Sequence, residues 1–240
     1  MKTIYKFSII FFLLTTVIIA DGIFNHAVFN KLLTMHVSEE GLVDYKKFVN
    51  NSEFESYVEE LSEVNLKGFT DDEKLAFYIN GYNALVIKNV INNYGIKSPM
   101  DVEGFFNKSK FKIAGENLTL DEIEHERIGK IEPVLMHFGL VCAAQSCPKL
   151  INKIYSAENV YEQLRENAKL FLSDTTKNNI DAENKTLFLS EIFKWFGKTF
   201  EKKYGTMNKA AAVLSGHKNK NEFDDYKIKY KKYNWKLNAQ

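Results

Sequence analysis

The stretch "DDEKLAFYINGYNALVIKNVINNYG", residues 71–95, decides the fold. Thr70 stands before it and Glu73 three residues on, the reciprocal pair that caps a helix start. Gly95 suits the C-terminal stop. Apolar residues fall on most sides of this helix, which predicts a central, buried element. Asn80 and Asn83 lie three apart and share a face that continues through the apolar Ile87 and Ile91. An amide on such a face is costly unless it is hydrogen-bonded. The weightier reading is a buried network tying the helix to neighbouring backbone. The functional reading is an amide that orients a catalytic histidine or contacts a ligand. Gly81 between them lets another backbone come close.

Upstream, "IFNHAVFNKLLTMHV" has a helical apolar period through Phe24, Val28, Leu32 and Met35. Ser52, with Glu55 three residues on, opens a second helix in capping-box fashion. Downstream, "KFKIAGENLTL" reads as a hairpin around the turn Ala114–Asn117. Thr119 and Glu122 then start a short helix, "LDEIEHERI". "VLMHFGLVCA" is a continuous apolar run of strand length, read as a buried strand. Ser156 is expected to cap a long helix, "AENVYEQLRENAKLFL". A second hairpin, "NNIDAENKTLFLS", leads into the helix "EIFKWFGKTFEKKYG" with Ile192, Phe193, Phe196 and Phe200 on one face. A short helix, "NKAAAVLSG", and a final strand complete the order. That strand sets Tyr226, Ile228 and Tyr230 against Lys227, Lys229 and Lys231, a half-buried pattern with a solvated lysine face. Long helices first and hairpin-connected strands later predict an α+β fold, predominantly helical, with a small antiparallel sheet.

At 240 residues, 45% apolar and 26% charged, the chain can fill a real core. Residues 1–20 read as an export signal: a basic head, an uncharged apolar run shorter than a bilayer-spanning helix needs, and Ala20 before Asp21. The expected mature product is one globular domain, residues 21–240, secreted or periplasmic, with no stable membrane span. Losing Lys2 and Lys6 takes 32 basic residues to 30, against 31 acidic ones. So near-neutral a chain gives no electrostatic case for nucleic acid. GxGxxG and GxxxxGK[ST] are absent, which removes nucleotide binding by those routes.

Chemistry concentrates in "HFGLVCAAQSCPKL", residues 137–150, which holds the only two cysteines. Cys142 ends the apolar run, and Cys147 precedes Pro148. If a helix begins at Pro148, Cys147 is its N-cap, where the dipole and free N–H groups favour a thiolate. That makes Cys147 the better nucleophile, with His125 or His137 as its base. Two cysteines in an exported chain equally invite a disulfide. A zinc site drawn from His125, His137, Cys142 and Cys147 ranks low, since the spacing is not that of a zinc finger. No metal or other cofactor is expected.

"GLVDYKKF", "KLAFYINGYNALVI", "LTLDEIEHERI", "HFGLVCAAQSCPKL", "NAKLFLSD" and "YNWKLN" together resemble, in this order, the domain of unknown function 547 family. The likeness runs from about Phe29 to Asn238. It picks out Asn80, Tyr82, Asn83, Glu124, His125, His137, Cys142, Ser146, Cys147 and Pro148, and more loosely Arg127. Relatives that carry the domain inside cells, where disulfides are disfavoured, imply a thiol site rather than a bridge. The resulting expectation is an exported Cys–His hydrolase or acyl transferase acting on an amide or thioester. Cys147 is its nucleophile, His125 its base and His137 the runner-up. Glu124, Asn80 or Asn83 orients the imidazole, and Gln145 or Ser146 helps stabilise an oxyanion. Tyr82 and Cys142 complete the pocket. The alternative is a non-catalytic ligand- or protein-binding module with a structural Cys142–Cys147 disulfide.

Overall fold

A computed structural model describes residues 24–240; the expected export segment lies outside them. The helix α1 (Ala27–His36) packs on α2 (Ser52–Glu63), which in turn leans on α3 (Asp71–Asn92). A hairpin of β1 (Lys110–Ile113) and β2 (Glu116–Thr119) follows. Its turn residues Ala114 and Gly115 both have positive φ, and their N–H groups donate to Leu61 and Ser62 carbonyls near the end of α2. Next come α4 (Leu120–Ile123), a π-helical turn (Glu124–Ile128) and the short α5 (Gly129–Ile131). After an irregular stretch lie α6 (Val160–Ser173), β3 (Asn179–Asp181), β4 (Thr186–Ser190), α7 (Glu191–Trp195), α8 (Gly197–Tyr204), α9 (Met207–Leu214) and β5 (Lys227–Lys231). The result is an α+β, helix-dominated fold with two small sheets. No helix among the described residues is long and apolar enough to cross a membrane.

The α3 helix carries the capping box read from Thr70 and Glu73, and Gly95 turns the chain at φ +105° just past its end. Every residue from Leu75 to Ile87 is buried, because helices and loops cover it on all sides. Its amides bond to backbone. Asn83 Nδ2 donates to the Gly139 carbonyl at 2.9 Å, and its Oδ1 accepts from the Val141 N–H at 3.0 Å. Asn80 brackets Tyr155 in the same way, at 2.8 and 2.9 Å. Gly81 admits a side chain rather than a backbone: a Cβ there would lie 2.7 Å from Ile113 Cδ1.

Several local expectations give way to tertiary context. Residues 134–143 form no strand. The Glu132 carboxylate accepts from the N–H groups of Val134 and Leu135, which winds Leu135–Phe138 into a 3₁₀ turn. The run is buried on all sides, and periodicity cannot separate that from a sheet-core strand. Helix α2 is capped by Asn51, which accepts from the Phe54 N–H, and not by Ser52. Ser156 caps nothing: Gln163 brackets the Ile154 carbonyl and Ser156 N–H, and α6 starts at Val160. The inner face of α1 is Phe29, Leu32 and Leu33, while Met35 is 62% exposed. One helix expected over residues 191–205 is two, parted at Phe196. The sheet is not wholly antiparallel, since β5 pairs with β4 in parallel.

Replacing Asn83 with alanine strands a buried N–H and a buried C=O, each costing about 1–3 kcal/mol. Asn83→Ala is expected to lower the urea midpoint at unchanged slope, by at least about 2 kcal/mol of stability. A loss under about 0.5 kcal/mol, the range of ordinary surface substitutions, would show that the clamp is not needed.

Candidate functional site

A cavity of about 170 Å³ opens between α3, the π-helical turn, residues 137–147, α7 and the segment 233–235. Tyr82, Glu124, His137, Cys142, Cys147 and Tyr233 supply its polar groups, and Phe196, Trp195 and Trp235 much of its apolar wall. The irregular backbone reaches this place because Asn83 fixes Gly139 and Val141, while Asn167 from α6 donates to the Phe138 carbonyl. From the other side residues 234–238 run along it as a strap. Gln145 N–H donates to Lys236 O at 2.8 Å, Ser146 N–H to Asn234 O at 3.2 Å, and Asn238 N–H to Ala143 O at 2.9 Å.

The two sulfurs differ. No helix follows Pro148, so Cys147 is not an N-cap and has no helix dipole behind it. Cys147 is only 4% exposed; its Sγ accepts the Cys142 N–H at 2.9 Å and lies 3.8 Å from the Leu140 carbonyl oxygen. Burial pushes its thiol well up, and the neighbouring Cys142 adds to the rise. Cys142 is partly exposed, with Sγ 3.2 Å from the Tyr233 hydroxyl. Burial raises its pKa too. Hydrogen bonds from the Cys147 thiol, the Tyr233 hydroxyl and the Ala144 backbone outweigh that and bring Cys142 below the ordinary thiol value. Both cysteines are free, so the structural disulfide of the alternative reading is not formed.

Glu124 and His137 face each other across 3.8 Å, too far for a hydrogen bond. Burial raises the Glu124 carboxyl to about 6, against the nearby His125 and a 3.5 Å bond from the Tyr82 hydroxyl. Burial sends His137 the other way, to about 3, so its imidazole is neutral and the contact is no ion pair. His137 stacks on Phe196 at 3.8 Å between ring centroids.

The cavity thus gathers Tyr82, Glu124, His137, Cys142 and Cys147. The other expected residues lie elsewhere. His125 is half exposed on the solvent side of the π turn, 3.8 Å from Asp121, and does not line the cavity. Asn80 and Asn83 are fully occupied by backbone and orient no imidazole. The N–H groups of Gln145 and Ser146 are bonded to the strap, which leaves none for an oxyanion. Their side chains join the same strap, Ser146 Oγ accepting from Asn234 N–H and Gln145 Oε1 from Asn234 Nδ2. Tyr233, Trp235, Trp195 and Asp121 line the site without having been singled out. The aromatic pair inside "YNWKLN" was the available signal. Among the described residues, no three of His, Cys, Asp and Glu are grouped as metal ligands would be.

Neither a curated protein nor a solved structure matches the chain. A family model described as "Protein of unknown function, DUF547" matches residues 66–172, from just before α3 to the last turn of α6. That span contains Tyr82, Glu124, His137 and both cysteines, and excludes Trp195, Tyr233 and Trp235. Over residues 66–172, therefore, this chain is similar to the domain of unknown function 547 family.

Proposed function

We propose that the protein is a thiol-dependent hydrolase or acyl transferase acting on an amide or thioester, with Cys142 as nucleophile and Glu124 as proton carrier. It acts outside the cytoplasm, exported by residues 1–20. The observation that carries this reading is the contrast between the sulfurs. Cys142 is the accessible one, and the hydrogen bonds its neighbours give it outweigh its burial, whereas at Cys147 burial wins. A thiolate is the reactive form of cysteine, and donors around the sulfur raise its share at neutral pH.

The reaction starts with a Cys142 thiolate and a protonated Glu124. The sulfur adds to the substrate carbonyl, and the Tyr233 hydroxyl, 3.2 Å from that sulfur, is the donor offered to the oxygen that becomes negative. The tetrahedral adduct collapses to an acyl–Cys142, while the Glu124 proton leaves on the amine or thiol. Water, or an acceptor amine or alcohol, then gives its proton to the Glu124 carboxylate and attacks the acyl group, and the Cys142 thiolate departs. A carboxyl near 6 can both give and take a proton around neutrality. His137, neutral and buried against Phe196, fills the wall beside Glu124 and keeps water from solvating it. The cluster of Trp195, Tyr233 and Trp235, with ring centroids 4.7–5.8 Å apart, also suits a purely ligand-binding pocket. In that case loss of the Cys142 sulfur leaves binding intact and there is no turnover to lose.

With p-nitrophenyl acetate, the wild type is expected to release p-nitrophenolate and to carry an acetyl group on Cys142 by mass spectrometry. Cys142→Ala abolishes both, and Glu124→Gln slows turnover about 10²-fold or more. His125→Ala leaves the rate unchanged. Acetylation of Cys147 in preference to Cys142 would overturn the assignment.

The pH profile of iodoacetamide labelling gives a separate check. The Glu124 carboxylate raises the Cys142 pKa, so removing that charge in Glu124→Gln should move the labelling midpoint to lower pH. The Cys147 thiol lowers it, so Cys147→Ala should move the midpoint to higher pH. Shifts of the opposite sign would show that these groups do not act on the sulfur as described.

A further inference from the structure

We propose that Cys142 and Cys147 form an attacking and resolving pair that closes to a disulfide when Cys142 reacts with a small-molecule disulfide. This activity goes beyond acyl transfer and rests on the two sulfurs alone.

Three observations carry it. Both sulfurs line one cavity, but only Cys142 is open enough to meet a reagent from outside. Cys147 sits behind it, its Sγ held 2.9 Å from the Cys142 backbone nitrogen, so the sulfur it can reach is that of Cys142. The connecting loop, residues 143–146, is fixed by the strap through Ala143, Gln145 and Ser146, which holds the two sulfurs near each other without help from a disulfide. Burial favours a protonated Cys147, so the deeper sulfur rests as a thiol until the outer one has reacted.

The step balances. The Cys142 thiolate attacks one sulfur of R–S–S–R, the S–S bond breaks, and one thiolate leaves, taking the Cys147 proton as a thiol. The Cys147 thiolate so formed attacks the Cys142 sulfur and expels the second RS⁻. Two protein sulfurs are oxidised and one disulfide is reduced to two thiol equivalents. The closed pair withdraws the nucleophile, and a reductant restores it.

The test is to expose the reduced, purified chain to excess glutathione disulfide, quench in acid, alkylate and map both cysteines by mass spectrometry. The wild type is expected to lose both thiols and keep no glutathione. Cys147→Ser should stop at one glutathione on Cys142, and Cys142→Ser should keep Cys147 as a free thiol. Cys147→Ala repeats the middle arm should the serine variant misfold. A wild type that retains glutathione on Cys142 beside a free Cys147 overturns the proposal, as does glutathione captured by Cys147 in Cys142→Ser. Release of p-nitrophenolate by the reduced wild type, measured before any disulfide is added, separates this result from the acyl-transfer reading, since no turnover there leaves disulfide closure standing and no closure leaves turnover standing.

Discussion

A buried backbone must have hydrogen-bond partners, and between Gly139 and Tyr155 the chain is buried at Gly139–Val141, Ala143–Ala144, Cys147–Pro148 and Tyr155 with almost no helix or sheet to supply them. The molecule solves this with amides. Asn80 and Asn83 on α3, and Asn167 on α6, present paired or branching polar atoms that imitate a neighbouring strand. Two helices thereby hold an irregular loop as firmly as a sheet would. Irregular backbone at depth is what lets two cysteines five residues apart turn into one cavity. A strand would have sent alternate side chains to opposite faces.

The same burial sets the electrostatics. Dehydration disfavours charge on Glu124, His137 and both sulfurs, and neighbours then decide which of them retain one. His137 has an aromatic ring against it and stays neutral. Glu124 keeps a partial claim to its charge through the nearby His125 and the Tyr82 hydroxyl. At the outer sulfur hydrogen bonds outweigh burial, and at the inner one burial and the neighbouring Cys142 outweigh the hydrogen bonds it receives. Two residues of one kind thus acquire opposite chemical characters from their positions alone.

Much of the frame was legible because it follows local rules. The Thr70–Glu73 and Thr119–Glu122 boxes stand where they were read, as do both hairpins. The apolar run before Cys142 was not legible as a 3₁₀ turn, since what winds it is Glu132, a carboxylate whose role depends on its burial. The order of the cysteines was misjudged for a related reason. Proline after Cys147 permits a helix but does not make one, and no helix forms before α6. Of the residues drawn from the family's segments, Tyr82, Glu124, His137, Cys142 and Cys147 line one cavity, while Asn80, Asn83, His125 and Ser146 do not. Tyr233 and Trp235 were hidden because they come from the far end of the sequence, where only the fold brings them back.

That return has a consequence for assembly. The strap closes against Ala143, Gln145 and Ser146, and beyond them against Val43, whose N–H donates to the Asn238 carbonyl. Segments some two hundred positions apart are therefore neighbours, and the cavity's aromatic wall is synthesised after everything it closes upon. During translation the thiols would stand uncovered while helices α1 to α9 are already able to pack. The cavity is completed only by that docking, so a nascent chain carries both cysteines before it carries the whole pocket.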